Sequence, residues 1–312
     1  MHIPEPVKRV LGWYDGERPG VKGNLARLLM HGRLAGSGRL LVLPVDQGFE
    51  HGPARSFGSN PEGFDPAYHF ELAVSAGLSA LAAPLGFLSA CADRYAGAIP
   101  LILKANHANN LEVSRNQAVT ATVRDALELG CSAIGYTIYP GSEFQYEMFE
   151  EVRSVIAEAR AVGLPVMVWA YPRGGSISKE GETALDVVSY AAHIAALLGA
   201  HIIKVKPPSD RIEMPEAKPA YTAMERDFSM LQVRVAHVVE SALAGRRLVL
   251  FSGGPAKLVE DVYAEVGSIA AGGGGGSIVG RNSFQRPREE ALTMLGRIAD
   301  TYLNSTGPES LR

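Results

Sequence analysis

The chain has 312 residues, enough for one large domain or two of average size. With 46% hydrophobic and 20% charged residues, its composition is typical of a water-soluble globular protein. A formal net charge of -3 at pH 7 offers no basic field, so nucleic acids and anionic membranes are not expected as partners.

Short apolar runs alternate with helical patterns along the first half of the chain. Residues 1–38 form an entry segment with a helix expected at about 24–34, and five apolar runs follow at 40–46, 78–83, 100–106, 132–138 and 165–171. Continuous apolar runs bounded by turn residues are typical of strands that are buried on both faces. The first half therefore predicts five buried strands.

Cap residues predict where the helices between these strands begin and end. Asp65 and Pro66 begin one helix, Gly77 ends it, and a second helix is expected at 120–129. Ser142 and Gln145 have the spacing of a capping box for a third helix. That helix places apolar residues on one face, namely Phe149, Val152, Ile156 and Ala159.

The second half repeats the alternation. Helices are expected at 183–198, 220–244 and from the last strand to about residue 303, and strands at 200–208, 248–251 and 276–280. Eight strands alternating with helices predict an α/β fold with an all-parallel sheet. Their number and the chain length favour a closed (β/α)8 TIM barrel with an N-terminal helical extension over an open doubly wound sheet. We expect one barrel domain over residues 1–312, with 1–38 as the extension and 39–312 as the barrel.

The sixth strand carries two lysines, Lys204 and Lys206, in an otherwise apolar run. The side-chain period of a strand is two, so both lysines can point to the same face. A desolvated lysine loses its charge readily and then acts as a nucleophile toward carbonyl groups. Alternatively, both ammonium groups emerge at the strand end and pair with carboxylates.

Polar side chains follow the carboxyl ends of most of these strands. In a barrel of this kind, the active site lies at those ends. The residues collected there are Asp46, His51, Lys104, Asn106, His107, Tyr136, Trp169, Tyr171, Lys204, Lys206, Ser252, Gly280 and Arg281. An acid, several amines and a tyrosine around one mouth predict an enzyme.

The loops after strands seven and eight have the composition of an anion site. Ser252, Gly253 and Gly254 precede a helix, and Gly280 and Arg281 follow the last strand. Exposed backbone N–H groups at a helix start favour negative charge, and these two loops commonly hold phosphate in barrels. Alternatively, the glycines only permit tight turns and the arginine forms a structural salt bridge.

Other residues at the strand ends have more than one interpretation. Lys104 adds a positive charge near the centre, Asp46 is a carboxylate near the amine, and Tyr171 is a candidate proton shuttle. Trp169 and Tyr171 would alternatively be core aromatics. A metal site of Asp46 with His51 and His107 is a further alternative.

Five motifs resemble the archaeal-type class I fructose-bisphosphate aldolases. They are Val45-Asp-Gln-Gly-Phe-Glu-His-Gly52, Val168-Trp-Ala-Tyr-Pro-Arg-Gly174, Ile202-Ile-Lys-Val-Lys206, Phe251-Ser-Gly-Gly254 and Gly280-Arg-Asn-Ser-Phe-Gln285. The resemblance extends from about residue 40 to 300 in the family's order. It departs at Lys206-Pro207-Pro208, where archaeal members more usually carry an aromatic or polar residue.

The resemblance implies a (β/α)8 barrel, a lysine Schiff base, and no metal or other cofactor. By position in the motifs, the Schiff-base lysine is Lys204, the strand-one aspartate is Asp46 and the tyrosine acid/base is Tyr171. Other matched or neighbouring residues are expected to bind substrate or its phosphate, namely Ser252, Gly253, Gly254, Gly280, Arg281, Trp169, Lys104 and His51.

The resemblance also implies a reaction, the reversible cleavage of fructose 1,6-bisphosphate to dihydroxyacetone phosphate and glyceraldehyde 3-phosphate. Two alternatives stay open: a Schiff-base aldolase or transaldolase-like lyase acting on another ketose phosphate, and a non-catalytic barrel that binds a sugar phosphate. The second phosphate has three candidate partners, Arg173, Lys179 and Arg55.

The remaining features predict a cytoplasmic protein. Cys91 and Cys131 form neither a disulfide framework nor a CxxC metal spacing. No secretory signal is visible at the start, and no apolar stretch is long enough to span a bilayer. The resemblance suggests a homo-oligomer.

Overall fold

Eight parallel strands form a closed barrel in the computed structural model, which describes residues 3–252 and 257–305. The strands are β1 (Leu40–Pro44), β2 (Ala80–Pro84), β3 (Leu101–Lys104), β4 (Ala133–Ile138), β5 (Val166–Ala170), β6 (Ile202–Val205), β7 (Leu248–Phe251) and β8 (Gly276–Ile278). Each strand pairs with its sequence neighbours, and Leu40 of β1 pairs with Gly276 of β8 to close the ring. The predicted (β/α)8 TIM barrel is confirmed.

The strands are buried on both faces, as their continuous apolar sequences predict. Alternate residues fill two separate cores, because successive side chains of a strand point to opposite faces. Val42 and Ile202 lie in a core inside the barrel, whereas Leu41 and Ile203 lie in a core between the strands and the surrounding helices. The parity of a residue on its strand therefore decides whether it can reach the barrel interior.

Fourteen α-helices lie within the described ranges. They are α1 (Glu5–Gly12), α2 (Pro19–Leu29), α3 (Gln47–His51), α4 (Pro53–Phe57), α5 (Pro66–Ser75), α6 (Leu85–Ser89), α7 (Val123–Glu128), α8 (Gln145–Ala161), α9 (Leu185–Leu198), α10 (Lys218–Ala223), α11 (Leu231–Ser241), α12 (Val259–Ala271), α13 (Arg281–Phe284) and α14 (Arg288–Asn304). Two short 3-10 helices cover Pro61–Phe64 and Gly181–Thr183. None of the helices in this part of the chain is both long enough and apolar enough to cross a membrane.

Local signals place several helix ends correctly. The Asp65 side chain caps α5 by accepting a hydrogen bond from the Ala67 amide at 2.9 Å. Thr122 and Asp125 form a reciprocal capping box at the start of α7. Gly199 ends α9 with φ of 102°, a left-handed conformation that glycine adopts without steric cost.

Three helix predictions are wrong in detail. The entry segment contains two helices, and α2 ends at Leu29, five residues before the expected end. The expected helix over 220–244 is divided into α10 and α11. The predicted box does not cap α8, because Ser142 accepts from Phe144 and donates to the Arg115 carbonyl, while Gln145 accepts from Gly141.

The two N-terminal helices close the amino-terminal end of the barrel. Val7, Val21 and Leu25 belong to the same buried core as the residues inside the barrel. The Tyr14 hydroxyl donates to the His201 carbonyl at 2.5 Å and accepts from the Leu248 amide at 3.1 Å. These contacts join the entry segment to β6 and β7, so the opposite end of the barrel is left for the site.

A two-stranded ribbon projects at the carboxyl-terminal end after β3. It pairs Asn106–His107 with Ala118–Val119 in antiparallel fashion, and residues 108–117 connect them. This connection brings Arg115 close to the loop after β5, where the second 3-10 helix lies.

Candidate active site

The carboxyl ends of the strands surround a cavity of about 470 Å³. The structure places nearly all of the predicted site residues in its lining, namely Asp46, His51, Lys104, Trp169, Tyr171, Lys204, Ser252, Gly280 and Arg281. Gly253 and Gly254 lie outside the described residues. Residues separated by more than 200 positions in the sequence thus meet at one mouth, as the barrel topology requires.

Lys204 lies inside the barrel near the carboxyl end of β6, where its strand pairing is with Trp169. Its side chain is buried, and its Nζ lies 4.2 Å from the centroid of the Tyr171 ring. Burial lowers the pKa of Lys204 to about 7; the negative charge of Asp46 opposes this, and the positive charge of Lys206 reinforces it. Within residues 3–252 and 257–305, no carboxylate oxygen forms an ion pair with Lys204. At neutral pH, much of this amine is therefore uncharged and nucleophilic.

Lys104 is the second buried amine, but its nitrogen is already bound. Its ammonium group donates to the Asn106 backbone carbonyl and, at 2.9 Å, to Asn106 Oδ1. Asn106 is itself held by Thr137, through an Nδ2 bond to the carbonyl at 2.8 Å and an Oδ1 bond from the amide at 2.6 Å. Burial lowers the pKa of Lys104 to about 8. Hydrogen bonding thus fixes Lys104 in place, in contrast to Lys204.

Asp46 follows β1 and immediately precedes α3. Burial raises the pKa of its carboxyl group, while the positive charges of Lys104 and Lys204 act in the opposite direction. A carboxyl group with a raised pKa accepts and returns a proton more readily near neutral pH than an exposed aspartate does.

Trp169 and Tyr171 are on β5 and just beyond it, with one residue between them. Trp169 is buried, and Lys104 Nζ lies 5.6 Å from its ring centroid. Its indole packs on Gly135 of β4, where an added Cβ would lie 2.8 Å from Cη2 and closer still to Cζ3. Glycine at that position makes room for the indole. Tyr171 is partly buried, with its ring near both strand-six lysines.

The loop after β8 brings a cation to the cavity that contains Lys204. Gly280 precedes α13, and a Cβ there would lie 3.0 Å from both Gln47 Nε2 and Pro44 Cγ, so a side chain at this position would crowd the β1 loop. Arg281 follows and lines the cavity. Its charge contributes to the lowered pKa of Lys204.

His51 and His107 line the cavity. His51 Nδ1 lies 3.1 Å from Asn110 Nδ2 and its Nε2 lies 3.7 Å from the Glu50 carboxylate; burial lowers the pKa of His51, and the charge of Glu50 opposes this. His107 stacks on Phe49 at 4.5 Å between ring centroids, and burial lowers its pKa to about 3. In the part of the chain that the structure describes, no three His, Cys, Asp or Glu side chains are grouped as a metal site. The alternative centre of Asp46, His51 and His107 is therefore not formed.

Lys206, one residue beyond β6, has the same side-chain parity as Lys204 but a different partner. Its ammonium group bonds to Glu182 at 3.2 Å. The alternative ion pair at the strand mouth is thus present for Lys206, whereas Lys204 forms none with the residues that the structure describes.

The cavity lining differs from the sequence prediction at two residues, Tyr136 and Glu182. Tyr136 does not reach the cavity, because it has the outward parity on β4 and its hydroxyl bonds to Glu151 of α8. Glu182 is a lining residue that the sequence did not identify. It lies in a short loop helix without a recognisable motif, and its role depends on cations from distant parts of the chain.

Comparisons with known proteins agree with this geometry. The sequence profile described as DeoC/LacD family aldolase matches residues 40–286. The chain is 36% identical to the probable fructose-bisphosphate aldolase class 1 of Chlamydia muridarum, with 91% of this chain and 84% of the relative covered. It is 40% identical to the fructose-bisphosphate aldolase class 1 of Thermoproteus tenax, with coverages of 84% and 89%.

A solved structure is similar as well. It is an archaeal fructose-1,6-bisphosphate aldolase whose catalytic lysine is covalently bound to the carbinolamine intermediate of its substrate. The TM-score is 0.73 at 34% identity, and the alignment covers 89% of this chain and 98% of the other.

Proposed function

The chain belongs to the DeoC/LacD family of aldolases, and we propose that it works as a class 1 fructose-bisphosphate aldolase with Lys204 as its Schiff-base residue. It cleaves fructose 1,6-bisphosphate reversibly to dihydroxyacetone phosphate and glyceraldehyde 3-phosphate. The observation that carries the proposal is the buried amine of Lys204, with its pKa lowered to about 7 and no ion-pair partner among the described residues.

Catalysis begins when neutral Lys204 attacks the ketone carbon of the substrate. The nitrogen gives up a proton and the carbonyl oxygen gains one, which produces a carbinolamine. A second proton delivered to the carbinolamine hydroxyl lets it leave as water, and the nitrogen lone pair forms the iminium ion. Tyr171 lies beside the amine and moves these protons. The iminium ion withdraws the electron pair of the adjacent carbon–carbon bond when that bond breaks.

Asp46 accepts the hydroxyl proton of the departing aldehyde. Its raised pKa allows the resulting carboxylic acid to form transiently, and the nearby Lys104 ammonium group stabilises the carboxylate before and after. The enamine left on Lys204 then gains a proton at carbon, and water hydrolyses the iminium ion to release dihydroxyacetone phosphate.

The loops after β7 and β8 bind the phosphate of the dihydroxyacetone half. Arg281 and Ser252 line this side of the cavity, and a guanidinium group can donate two parallel hydrogen bonds to phosphate oxygens. Gly253 and Gly254 are assigned to the same loop from the sequence.

Borohydride reduction in the presence of dihydroxyacetone phosphate, followed by peptide mass mapping, tests the proposal. We expect one adduct, on Lys204, and none in the Lys204→Met variant. An adduct on Lys104 or Lys206 would move the assignment, whereas undiminished turnover by Lys204→Met would refute the Schiff-base mechanism.

A cytoplasmic location and a homo-oligomer stay predictions from the sequence. Size-exclusion chromatography with light scattering measures the second, and a monomer at working concentration would contradict it.

A further inference from the structure

Glu182 gathers basic side chains from three segments at the mouth of the cavity. Its carboxylate lies 3.2 Å from Lys206 Nζ, 3.0 Å from Lys179 Nζ and 3.7 Å from Arg115 Nη1. The Glu182 side chain is only 4% exposed, whereas those of Lys179 and Arg115 are 80% and 46% exposed. One buried carboxylate thus holds three cations that face the solvent or the cavity.

A fourth cation, Arg173, lies next to this group. Its guanidinium carbon is 4.3 Å from the Tyr139 ring centroid and 5.7 Å from that of Tyr171. Its Nε–H group is buried and donates no hydrogen bond within the described ranges. Arg115, Arg173, Lys179 and Glu182 line a side pocket of about 220 Å³, and Lys206 lines the main cavity, which shares Arg173, Lys179 and Glu182 with that pocket.

Most of the cation group lies away from Arg281 around the barrel mouth. Arg115 follows β3, and Arg173 and Lys179 follow β5; both strands are three positions from β8, which Arg281 follows, whereas Lys206 follows β6. Lys204 is on β6, which lies between β5 and the β7–β8 pair in the barrel order. A ketose bound to Lys204 with one phosphate at Arg281 would therefore extend its other end toward Glu182 and its cations.

We propose that Lys206 is a specificity-determining residue for the second phosphate of a ketose bisphosphate and that Glu182 is the positioning residue that keeps Lys206 and its neighbouring cations together. The proposal rests on the aldolase function proposed above. In the absence of substrate, the carboxylate offsets the mutual repulsion of the cations. An arriving phosphate carries more negative charge than a carboxylate and has three acceptor oxygens, so it takes over part of this cation set.

The charge balance of Glu182 is consistent with that role. Burial by itself raises the pKa of Glu182, but the hydrogen bond from Lys179 and the charge of Lys206 outweigh it, and the net shift is downward. Glu182 therefore stays ionised over the pH range in which the amine of Lys204 titrates.

The test compares fructose 1,6-bisphosphate with fructose 1-phosphate, which lacks the second phosphate. For Lys206→Met, we expect kcat/KM to fall on the order of ten- to hundredfold with the bisphosphate, which is the usual worth of a charge-assisted hydrogen bond, and much less with the monophosphate. Glu182→Gln should raise KM for the bisphosphate more than it lowers kcat. Lys206→Arg should restore part of the selectivity, because it returns the charge.

Lys218→Met is the matched control, since it removes one exposed lysine of α10 outside the cavity. It should leave the ratio of the two kcat/KM values within about twofold of the original protein, as expected for a distant surface charge.

The opposing result is an equal loss with both substrates. The positive charge of Lys206 also contributes to the lowered pKa of Lys204. If Lys206 acted only in this way, Lys206→Met would raise the Lys204 pKa and shift the acid limb of the kcat/KM profile to higher pH equally for both substrates. That outcome would overturn the specificity assignment. Borohydride trapping of the unmodified protein and each variant with dihydroxyacetone phosphate separates the two proposals. Lack of trapping in the unmodified protein refutes the Schiff-base function. Normal trapping together with unchanged selectivity in Lys206→Met refutes only the role of Lys206.

Discussion

The pH dependence of adduct formation is a direct consequence of the Lys204 environment. An ordinary lysine has a pKa near 10.4, so about one amine in a thousand is neutral at pH 7.4. With its pKa lowered to about 7, most of the Lys204 amine is neutral at that pH. Between pH 6 and pH 8, the neutral fraction of Lys204 then rises about tenfold and approaches its limit, whereas that of an unperturbed lysine would rise about a hundredfold.

The rate of borohydride trapping with dihydroxyacetone measures this fraction. Dihydroxyacetone is preferable to its phosphate here, because the second ionisation of a phosphate ester, near pH 6, would overlap the titration of interest. We expect the rate to rise through about pH 7 and to be nearly constant above pH 8. Lys204→Met provides the background.

Asp46→Asn gives the direction of the electrostatic effect. The carboxylate of Asp46 opposes the lowering of the Lys204 pKa, so its removal should shift the acid limb of the trapping profile to lower pH. A trapping rate that rises tenfold per pH unit up to pH 9 would refute a perturbed amine. A limb that moves to higher pH in Asp46→Asn would contradict the electrostatic argument.

Two further predictions concern packing and hydrogen bonding. Gly135→Ala forces a Cβ against the buried Trp169 indole, so it should lower the free energy of unfolding by about 1–3 kcal/mol and reduce kcat/KM. Gly267→Ala, the control, places its Cβ in open space on α12 and should raise the free energy of unfolding by up to about 1 kcal/mol. Equal effects of the two substitutions in chemical denaturation would contradict the packing argument. Tyr14→Phe removes the acceptor of the buried Leu248 amide and should lower the free energy of unfolding by about 1–3 kcal/mol in the same assay. The value of kcat/KM should stay unchanged, because the site is at the other end of the barrel. Unaltered stability would show that the hydrogen bond is not needed.

Local sequence signals determined the number and type of the barrel strands. Each strand is a continuous apolar run, because a parallel strand inside a barrel is buried on both faces, and β7 has the predicted bounds of 248–251. Caps such as Asp65 and the αL glycine Gly199 act within a few residues, so they could also be placed in advance.

Contacts between distant residues decided the rest. Residues 224–230 contain neither glycine nor proline, yet the chain leaves the helical conformation there: Glu225 has φ of 51°, and Arg234 donates to the carbonyls of Pro208, Phe228 and Ser229. One tertiary hydrogen bond, to Pro208, and several bonds within the segment, including that from the Ser229 amide to the Asp227 carboxylate, thus outweigh helix propensity here.

The assignment of the two strand-six lysines shows the same limit at the site itself. Lys204 and Lys206 share one face of β6, and nothing within the strand separates a nucleophile from an ion-pair partner. Glu182, more than twenty positions earlier, pairs with Lys206, whereas Lys204 has no such partner among the described residues and burial lowers its pKa to about 7. The sequence determined that amines would line the mouth, but only the tertiary structure decided which amine is neutral, because desolvation and ion pairing depend on what the folded chain places around each nitrogen.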